Sequence, residues 1–133
     1  MLEDITARVL TETSIGSGHD LAIAISITHD VTTDVGRYVG QAGLPVGTLL
    51  ALGPQSEPGD HAVTSAGWAA AWARSAREQA RRAATAIGAT HAHLYLAAPA
   101  GLAMMLGHQW NLMPPTTIYE HLRPGYAPTI TLA

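Results

Sequence analysis

Residues 93–111 read HLYLAAPAGLAMMLGHQWN, and the change of pattern inside this stretch decides the fold. The first part is an apolar run with the length and composition of a buried strand, which we predict over residues 92–97. The second part follows a corner of small residues and has helical spacing, so we predict a helix from Ala100 to about Gln109. A strand that leads through a short corner into a helix is typical of an α/β fold.

Most of the chain continues this alternation of strands and helices. Further strands are predicted at residues 21–27, 46–52, 116–121 and 126–132, and further helices at residues 31–42 and 65–87. The run at 21–27 is apolar at almost every position, as in a strand that is covered on both faces. We therefore predict a three-layer, Rossmann-like α/β domain with a mainly parallel sheet. Its five strands, numbered along the chain, should lie in the order 2-1-3-4-5, with the last strand antiparallel.

The first residues of the chain do not follow the pattern of strands and helices. The spacing of Leu2, Ile5, Val9 and Leu10 predicts a short helix, and the Thr-Ser-Ile-Gly-Ser-Gly run after it predicts a flexible joint. We expect residues 1–19 to form an N-terminal helix and linker, and residues 20–133 to form the main domain.

Composition restricts the class of function. A chain of 133 residues fits one compact domain, and the absence of cysteine excludes disulfides, thiolate metal sites and cysteine nucleophiles. The formal charge of −3 argues against direct DNA binding, which favours basic surfaces. No apolar run reaches membrane-spanning length and the acidic first residues do not form a signal peptide, so we expect a cytoplasmic protein without a membrane partner.

A ligand site is expected where the carboxyl ends of the parallel strands meet. The chain corners predicted at that edge are residues 26–30, 53–55, 97–101 and 119–121. The Pro-Ala-Gly corner at 99–101 has two interpretations. It either exposes helix N–H groups that a phosphate or base can approach closely, or it places Pro99 at the first helical position and lets the helix pack tightly on the sheet.

Other polar groups near that edge also have alternative interpretations. Asp30 is predicted to be the N-cap of the next helix, which leaves Thr28 and His29 free to meet a ligand. Catalysis by His29 is conceivable, although no serine, cysteine or second carboxylate is fixed beside it. His91 and His93 share one face of a strand and form either a metal-binding pair or a pair at the strand entry. Neither a Walker A motif nor a G-x-G-x-x-G motif occurs, so ordinary nucleoside triphosphate or dinucleotide use has no support, and no cofactor is expected.

Three stretches resemble one protein family. The run HLYLAAPAGLAMMLGHQWNLMPPTTIYEH at 93–121 and the run GYAPTITL at 125–132 resemble the C-terminal half of SAVED domains. The shared pattern is an apolar strand, an Ala-Ala-Pro-Ala corner, a Leu-Gly step, a strand ending in Tyr-Glu and a Tyr-x-Pro strand. The stretch LAIAISITHDVTTDVGRYV at 21–39 resembles the strand and helix before them, so the likeness covers about residues 20–132.

The resemblance implies a CARF-like fold and a sensor function. SAVED domains bind cyclic di-, tri- or tetranucleotides in antiphage defence, in cyclic-oligonucleotide signalling (CBASS) and in type III CRISPR systems, and binding drives the assembly that activates an effector. For this chain it implies a non-catalytic sensor of a cyclic oligonucleotide of the adenylate type. The residues then expected to contact the ligand are Thr28, His29, Gln55, Ala98, Pro99, Ala100, Gly101, Tyr119 and Glu120, without a metal.

The chain differs from the family pattern because it has one CARF-like unit, whereas family members have two together with an effector domain. We therefore expect either a portion of a longer protein or a single-unit sensor that completes its site by pairing with itself or with a second SAVED or effector chain. The alternatives are a ring nuclease that cuts the same ligand, with His29 as the first candidate, and a structural subunit of a defence complex.

Overall fold

The computed structural model describes residues 5–122 and 125–132, which form one six-stranded sheet and three helices. The elements are β1 (Arg8–Ser14), β2 (Asp20–Ser26), α1 (Thr32–Ala42), β3 (Val46–Gly53), α2 (Ala66–Ile87), β4 (Ala92–Ala97), α3 (Ala100–His108), β5 (Thr116–Leu122) and β6 (Gly125–Leu132). The strands lie in the order β1-β3-β2-β4-β5-β6. Within the described part of the chain, no helix is both long and apolar enough to cross a bilayer.

The sheet agrees with the predicted one except at its first edge. The five predicted strands keep their predicted relative order, and β6 runs antiparallel to β5. The predicted helix near the start of the chain is wrong at residues 8–10, because residues 8–14 form strand β1, antiparallel to β3; the part of that prediction at residues 1–4 lies outside the described residues. Consequently only three of the five strand pairs are parallel, and the sheet has an antiparallel strand at each edge.

The physical reason for this difference is that the edge of β3 has backbone N–H and C=O groups with which a strand can form hydrogen bonds and a helix cannot. The segment RVLTETS carries Val9, Thr11 and Thr13, whose β-branched side chains favour extended backbone. The side chain of Leu10 packs closely against Gly53, since its Cδ1 atom lies 2.9 Å from the position that a Cβ on Gly53 would occupy.

The predicted flexible joint between the first segment and β2 is instead closely packed. Gly16 and Gly18 lie directly against the backbone of residues 45–47, and a Cβ on Gly18 would overlap the carbonyl group of Pro45. A Cβ on Gly47 would in turn overlap the carbonyl group of Gly18. These glycines are therefore required for a close approach of two backbone segments.

Two hydrophobic cores cover the two faces of the sheet. On one face Leu21, Ile23 and Ile25 of β2 pack against α2 and α3, and on the other Ala22 and Ala24 pack against α1. All five are fully buried, which confirms that the 21–27 run is central and covered on both faces. The strand therefore directs its branched residues to α2 and α3 and its alanines to α1.

Helix α2 is almost as predicted. Ser65 is its N-cap and accepts a hydrogen bond from the Trp68 N–H at 3.0 Å, and Gly88 ends the helix in the left-handed conformation at φ 65°. Its buried face consists mainly of alanines around Trp72, whose indole N–H donates to the Gly53 carbonyl group at 3.0 Å. Small side chains let this helix lie close to the sheet, and Trp72 connects it to the end of β3.

Candidate functional site

Backbone hydrogen bonds hold two of the predicted corners, 26–30 and 97–101, against each other and against the loop after β3 at the carboxyl edge of the sheet. The N–H groups of Ile27 and Thr28 both donate to the Ala97 carbonyl group, each at 2.9 Å. The Gly59 N–H donates to the Ile27 carbonyl group, also at 2.9 Å. The turn after β2, the corner after β4 and the loop after β3 therefore meet at one place.

The corner after β4 presents the start of α3 to solvent. Pro99 is the N-cap and Ala100 is the first helical residue. The packing interpretation placed Pro99 at the first helical position, which is wrong by one residue. Among the residues that the structure describes, no side chain caps this end of α3, and its first turn holds no acidic residue. Ala100 and Gly101 are exposed, and a Cβ on Gly101 would have no atom within 4 Å. Packing thus does not require glycine at 101, and the first N–H groups of α3 have no side-chain partner.

Some polar groups of the turn after β2 are hydrogen-bonded within the protein, and others face solvent. Asp30 Oδ1 accepts hydrogen bonds from the Thr32 N–H at 2.9 Å, the Thr32 hydroxyl at 2.6 Å and the Ser26 hydroxyl at 3.4 Å. The bond from the Thr32 hydroxyl is the main reason that the pKa of Asp30 lies below its ordinary value. The N-cap position is Val31, one residue later than predicted, although Asp30 does bond the first N–H of α1.

Thr28 and His29 remain on the solvent side of that turn. Thr28 is half-buried and His29 is exposed, and Thr28 Oγ1 lies 3.2 Å from His29 Nδ1. Because the Thr28 N–H donates to the Ala97 carbonyl group, the turn that carries both residues lies beside the corner that leads into α3. Ala98 is half-buried at the same corner.

Gln55 lies on the same edge but has a partner within the chain. Its side chain is exposed, and Nε2 donates to Thr6 Oγ1 at 3.1 Å. The bond connects the loop after β3 with the segment that leads into β1. A ligand contact from Gln55 would compete with this bond.

Among the described residues, no hydrogen bond connects Tyr119 or Glu120 to the turn after β2, the loop after β3 or the corner after β4. Tyr119 is 7% exposed, and its hydroxyl lies 2.6 Å from His93 Nδ1. Tyr119 is level with Tyr95 in the sheet, two residues after His93, so its hydroxyl points away from the carboxyl edge. Burial raises the pKa of Tyr119. Glu120 is exposed and, by strand alternation, lies on the other face of β5.

Sequence reasoning did not identify the aromatic cluster to which Tyr119 belongs. The four tyrosines of the chain, Tyr38, Tyr95, Tyr119 and Tyr126, pack together between α1 and the strands β4, β5 and β6. Tyr95 and Tyr119 are stacked with ring centroids 4.5 Å apart. Strand alternation places Tyr95 on the same face of β4 as His93, but only the register of β4 with β5 brings Tyr119 beside it, so the sequence carried no direct signal for the cluster.

His91, directly before β4, and His93, within β4, both lie in hydrogen-bonded networks. His91 Nε2 lies 2.7 Å from Thr117 Oγ1, while His93 Nε2 lies 2.8 Å from Asp20 Oδ2. Among residues 5–122 and 125–132, no three histidine, aspartate or glutamate side chains are grouped as a metal site would require. Both imidazoles thus have partners on neighbouring strands.

A second surface feature that the sequence did not reveal lies between α2 and α3. It is an open cavity of about 560 Å³, mainly apolar, lined by Ala70, Gly101, Met104, Met105, His108 and Gln109. Gly101 belongs both to this cavity and to the exposed corner. Met104 is 77% exposed there, so the cavity continues the uncovered surface at the start of α3.

Comparison with known proteins agrees with this fold. The family model described as "SAVED: SMODS-associated and fused to various effectors sensor domain" matches residues 3–132. No match is found among curated proteins.

Solved structures of similar fold are SAVED/CARF-domain containing receptors. The Cap4 receptor of Acinetobacter baumannii with the cyclic trinucleotide 2′3′3′-cAAA has a TM-score of 0.70 at 18% identity, covering 98% of this chain and 28% of that chain. The same receptor with 3′3′3′-cAAA has a TM-score of 0.72 at 18% identity and the same coverage. The Cap4 receptor of Moraxella osloensis has a TM-score of 0.61 at 17% identity, covering 99% of this chain and 26% of that chain. The likeness therefore includes nearly all of this chain, which spans little more than a quarter of each receptor chain.

Proposed function

The chain belongs to the SAVED family of sensor domains, and we propose from this that it binds a cyclic oligonucleotide second messenger and thereby controls an antiphage effector. The observation that carries the proposal is the convergence at the carboxyl edge. There, the Ala97 carbonyl group holds the Thr28–His29 turn against the uncapped start of α3. A cyclic oligonucleotide has phosphates and sugar hydroxyls within one compact ring, and this edge offers partners for both.

The start of α3 is the proposed phosphate contact. Its first N–H groups point out of the helix and carry a partial positive charge, which favours an anion. Main-chain recognition fits a domain whose net charge is −3, since it does not need a basic surface. The exposed His29 and the half-buried Thr28 are the proposed side-chain contacts to phosphate or ribose.

The first ligands to test are the cyclic tri-adenylates, because one structurally similar receptor, that of A. baumannii, is described with both 2′3′3′-cAAA and 3′3′3′-cAAA. We propose that binding acts through assembly, with a second chain completing the site. The support is the exposed apolar surface beside the start of α3, where Met104 is 77% exposed. Sedimentation of the protein with and without ligand tests this part, and a single unchanged monomeric species under both conditions would contradict it.

The test of the ligand site is calorimetry with cyclic di-, tri- and tetra-adenylates, followed by the variant Ala100→Glu. The new carboxylate would lie where the phosphate is expected, and we expect affinity to fall roughly tenfold to several hundredfold from the loss of charge-assisted contacts. Ala86→Glu is the matched control, because it adds the same charge on an exposed position of α2 away from the edge. Equal binding by Ala100→Glu and the unmodified protein would show that the corner only serves packing.

The same incubations distinguish a sensor from a ring nuclease. A sensor returns the cyclic ligand intact, whereas a ring nuclease converts it into linear products. If linear products form and His29→Ala abolishes them, the assignment as a non-catalytic sensor is wrong and His29 acts in catalysis.

A further inference from the structure

The strands β4 and β5 stop pairing before either of them ends. Their ladder runs from Ala92–Thr116 to Tyr95–Tyr119, yet β4 continues to Ala97 and β5 to Leu122. On its other side β4 stays paired with β2 as far as Ala97. The interruption therefore lies between β4 and β5 at the carboxyl edge, next to the corner that leads into α3. In open α/β sheets such an edge is where ligands bind.

His121 lies at this interruption. It follows Tyr119 by two residues, as Ala97 follows Tyr95, so the register places His121 level with Ala97. Strand alternation directs its side chain to the α1 face, whereas that of Glu120 points to the other face. The imidazole is exposed, and its ring centroid lies 5.1 Å from that of Tyr126 at an interplanar angle of 42°.

The ring beneath His121 is held in place from two sides. Tyr126 contacts Tyr38 of α1 and Tyr95 of β4 edge to face, with ring centroids 5.5 and 5.0 Å apart. Burial, and secondarily the carboxylate of Asp34, raise the pKa of Tyr126, so the phenol stays neutral. His121 is thus the solvent-facing member of an aromatic cluster whose buried members hold Tyr126 in place.

We propose that His121, supported by Tyr126, forms a stacking subsite for one nucleobase of the cyclic oligonucleotide. This inference rests on the proposed function. It adds His121 to the residues expected to contact the ligand, whereas the contacts predicted from the sequence in this strand were Tyr119 and Glu120. A base stacked on His121 would lie on the α1 side of the edge while the phosphate meets α3 beside Ala97. Stacking on one aromatic side chain corresponds to roughly fivefold to 150-fold in affinity.

The competing explanation is that His121 and Tyr126 are only a cross-strand pair that stabilises the β5–β6 hairpin. The two explanations differ in the property that the aromatic ring at position 121 should affect. A hairpin pair affects the melting temperature, whereas a stacking subsite affects affinity and tolerates any flat aromatic ring.

The test compares His121→Ala, His121→Phe and His19→Ala by calorimetry with cyclic di-, tri- and tetra-adenylates. His19 is the matched control, since it is also exposed but lies before β2, at the opposite edge of the sheet. We expect His121→Ala to lose roughly fivefold to 150-fold in affinity, His121→Phe to recover most of that loss, and His19→Ala to bind like the unmodified protein.

Each remaining outcome overturns a specific statement. If the unmodified protein binds none of these ligands, the proposed function fails and the subsite fails with it. If the unmodified protein binds and His121→Ala binds equally well, only the subsite is wrong. If His121→Phe binds as weakly as His121→Ala, stacking is not what His121 contributes.

Discussion

The Nε2 atom of His93 lies 2.8 Å from Oδ2 of Asp20, and this pair joins the second residue of β4 to the first residue of β2. The side chains are only 7% and 14% exposed, and the other imidazole nitrogen lies 2.6 Å from the Tyr119 hydroxyl. Three adjacent strands are therefore connected through one histidine. Because a buried polar group without a partner is costly, this row of bonds should contribute to stability.

Removing Asp20 should destabilise the domain. Asp20→Ala leaves a buried imidazole nitrogen without its partner, and we expect the free energy of unfolding to fall by roughly 1–3 kcal/mol. Urea unfolding followed by circular dichroism measures this. The control is Asp34→Ala, which removes an exposed ion pair with Arg37 and should cost less than about 1 kcal/mol. Equal midpoints for the two variants would contradict the assigned importance of the buried pair.

The alanine face of α2 should not accept larger side chains. Ala76 is fully buried against the sheet, and Ala76→Leu should cost about 1–3 kcal/mol because the extra atoms must displace packed neighbours. Ala86→Leu makes the same change at an exposed position of the helix and should alter stability by no more than about 0.5 kcal/mol. Thermal unfolding of the two variants makes the comparison. A stable Ala76→Leu protein would mean that α2 can move away from the sheet.

The contact between Gly18 and residues 45–47 should not accept a methyl group. In Gly18→Ala the new Cβ would overlap the Pro45 carbonyl group, so backbone must move, and we expect a loss of about 2–4 kcal/mol. Gly40→Ala is the contrasting change, since a Cβ there has no atom within 4 Å and the residue is helical. It should stabilise the protein by roughly 0.5–1 kcal/mol. Chemical denaturation of both variants measures the changes in the free energy of unfolding, which should have opposite signs. If Gly18→Ala leaves this free energy unchanged, the joint is not closely packed.

Alkaline pH should unfold the domain through its tyrosines. Burial raises the pKa of Tyr95, Tyr119 and Tyr126 in the folded state. For such groups the stabilisation is complete below the unfolded tyrosine pKa of about 10 and is lost as pH rises above it, because only the unfolded chain then releases the protons. Absorbance of tyrosinate should therefore rise together with loss of the circular dichroism signal. Tyr95→Phe should move this alkaline transition to higher pH, and full tyrosinate absorbance in a folded protein would contradict the argument.

The centre of the fold could be predicted from local pattern. The 21–27 run has no polar face, which requires a position between two layers, and Ser65 and Gly88 mark the ends of α2 with the residue types that helix ends require. The identity of β1 could not be predicted in this way, because a few apolar residues fit a helix as well as an edge strand. Only the availability of the β3 edge decides between them.

The candidate site was predictable in part for the same reason. Residues of the first and third corners follow strands directly, so their meeting at the carboxyl edge is a consequence of parallel pairing. Tyr119 was expected at that edge as part of the corner at 119–121, but it is level with Tyr95 inside the β4–β5 ladder, and His121 is the residue level with Ala97. The register between β4 and β5 decides this, and local sequence does not specify it.

The sequence by itself thus determined the layers, the central strand and the exposed helix start, because those depend on burial periodicity and on residues within a few positions of each other. Tertiary structure alone decided the contacts between distant residues. Asp20 and His93 are 73 positions apart, and His93 and Tyr119 are 26 positions apart. They meet because parallel strands lie side by side in a particular register, and a shift by one residue would send each of these side chains to the opposite face of the sheet.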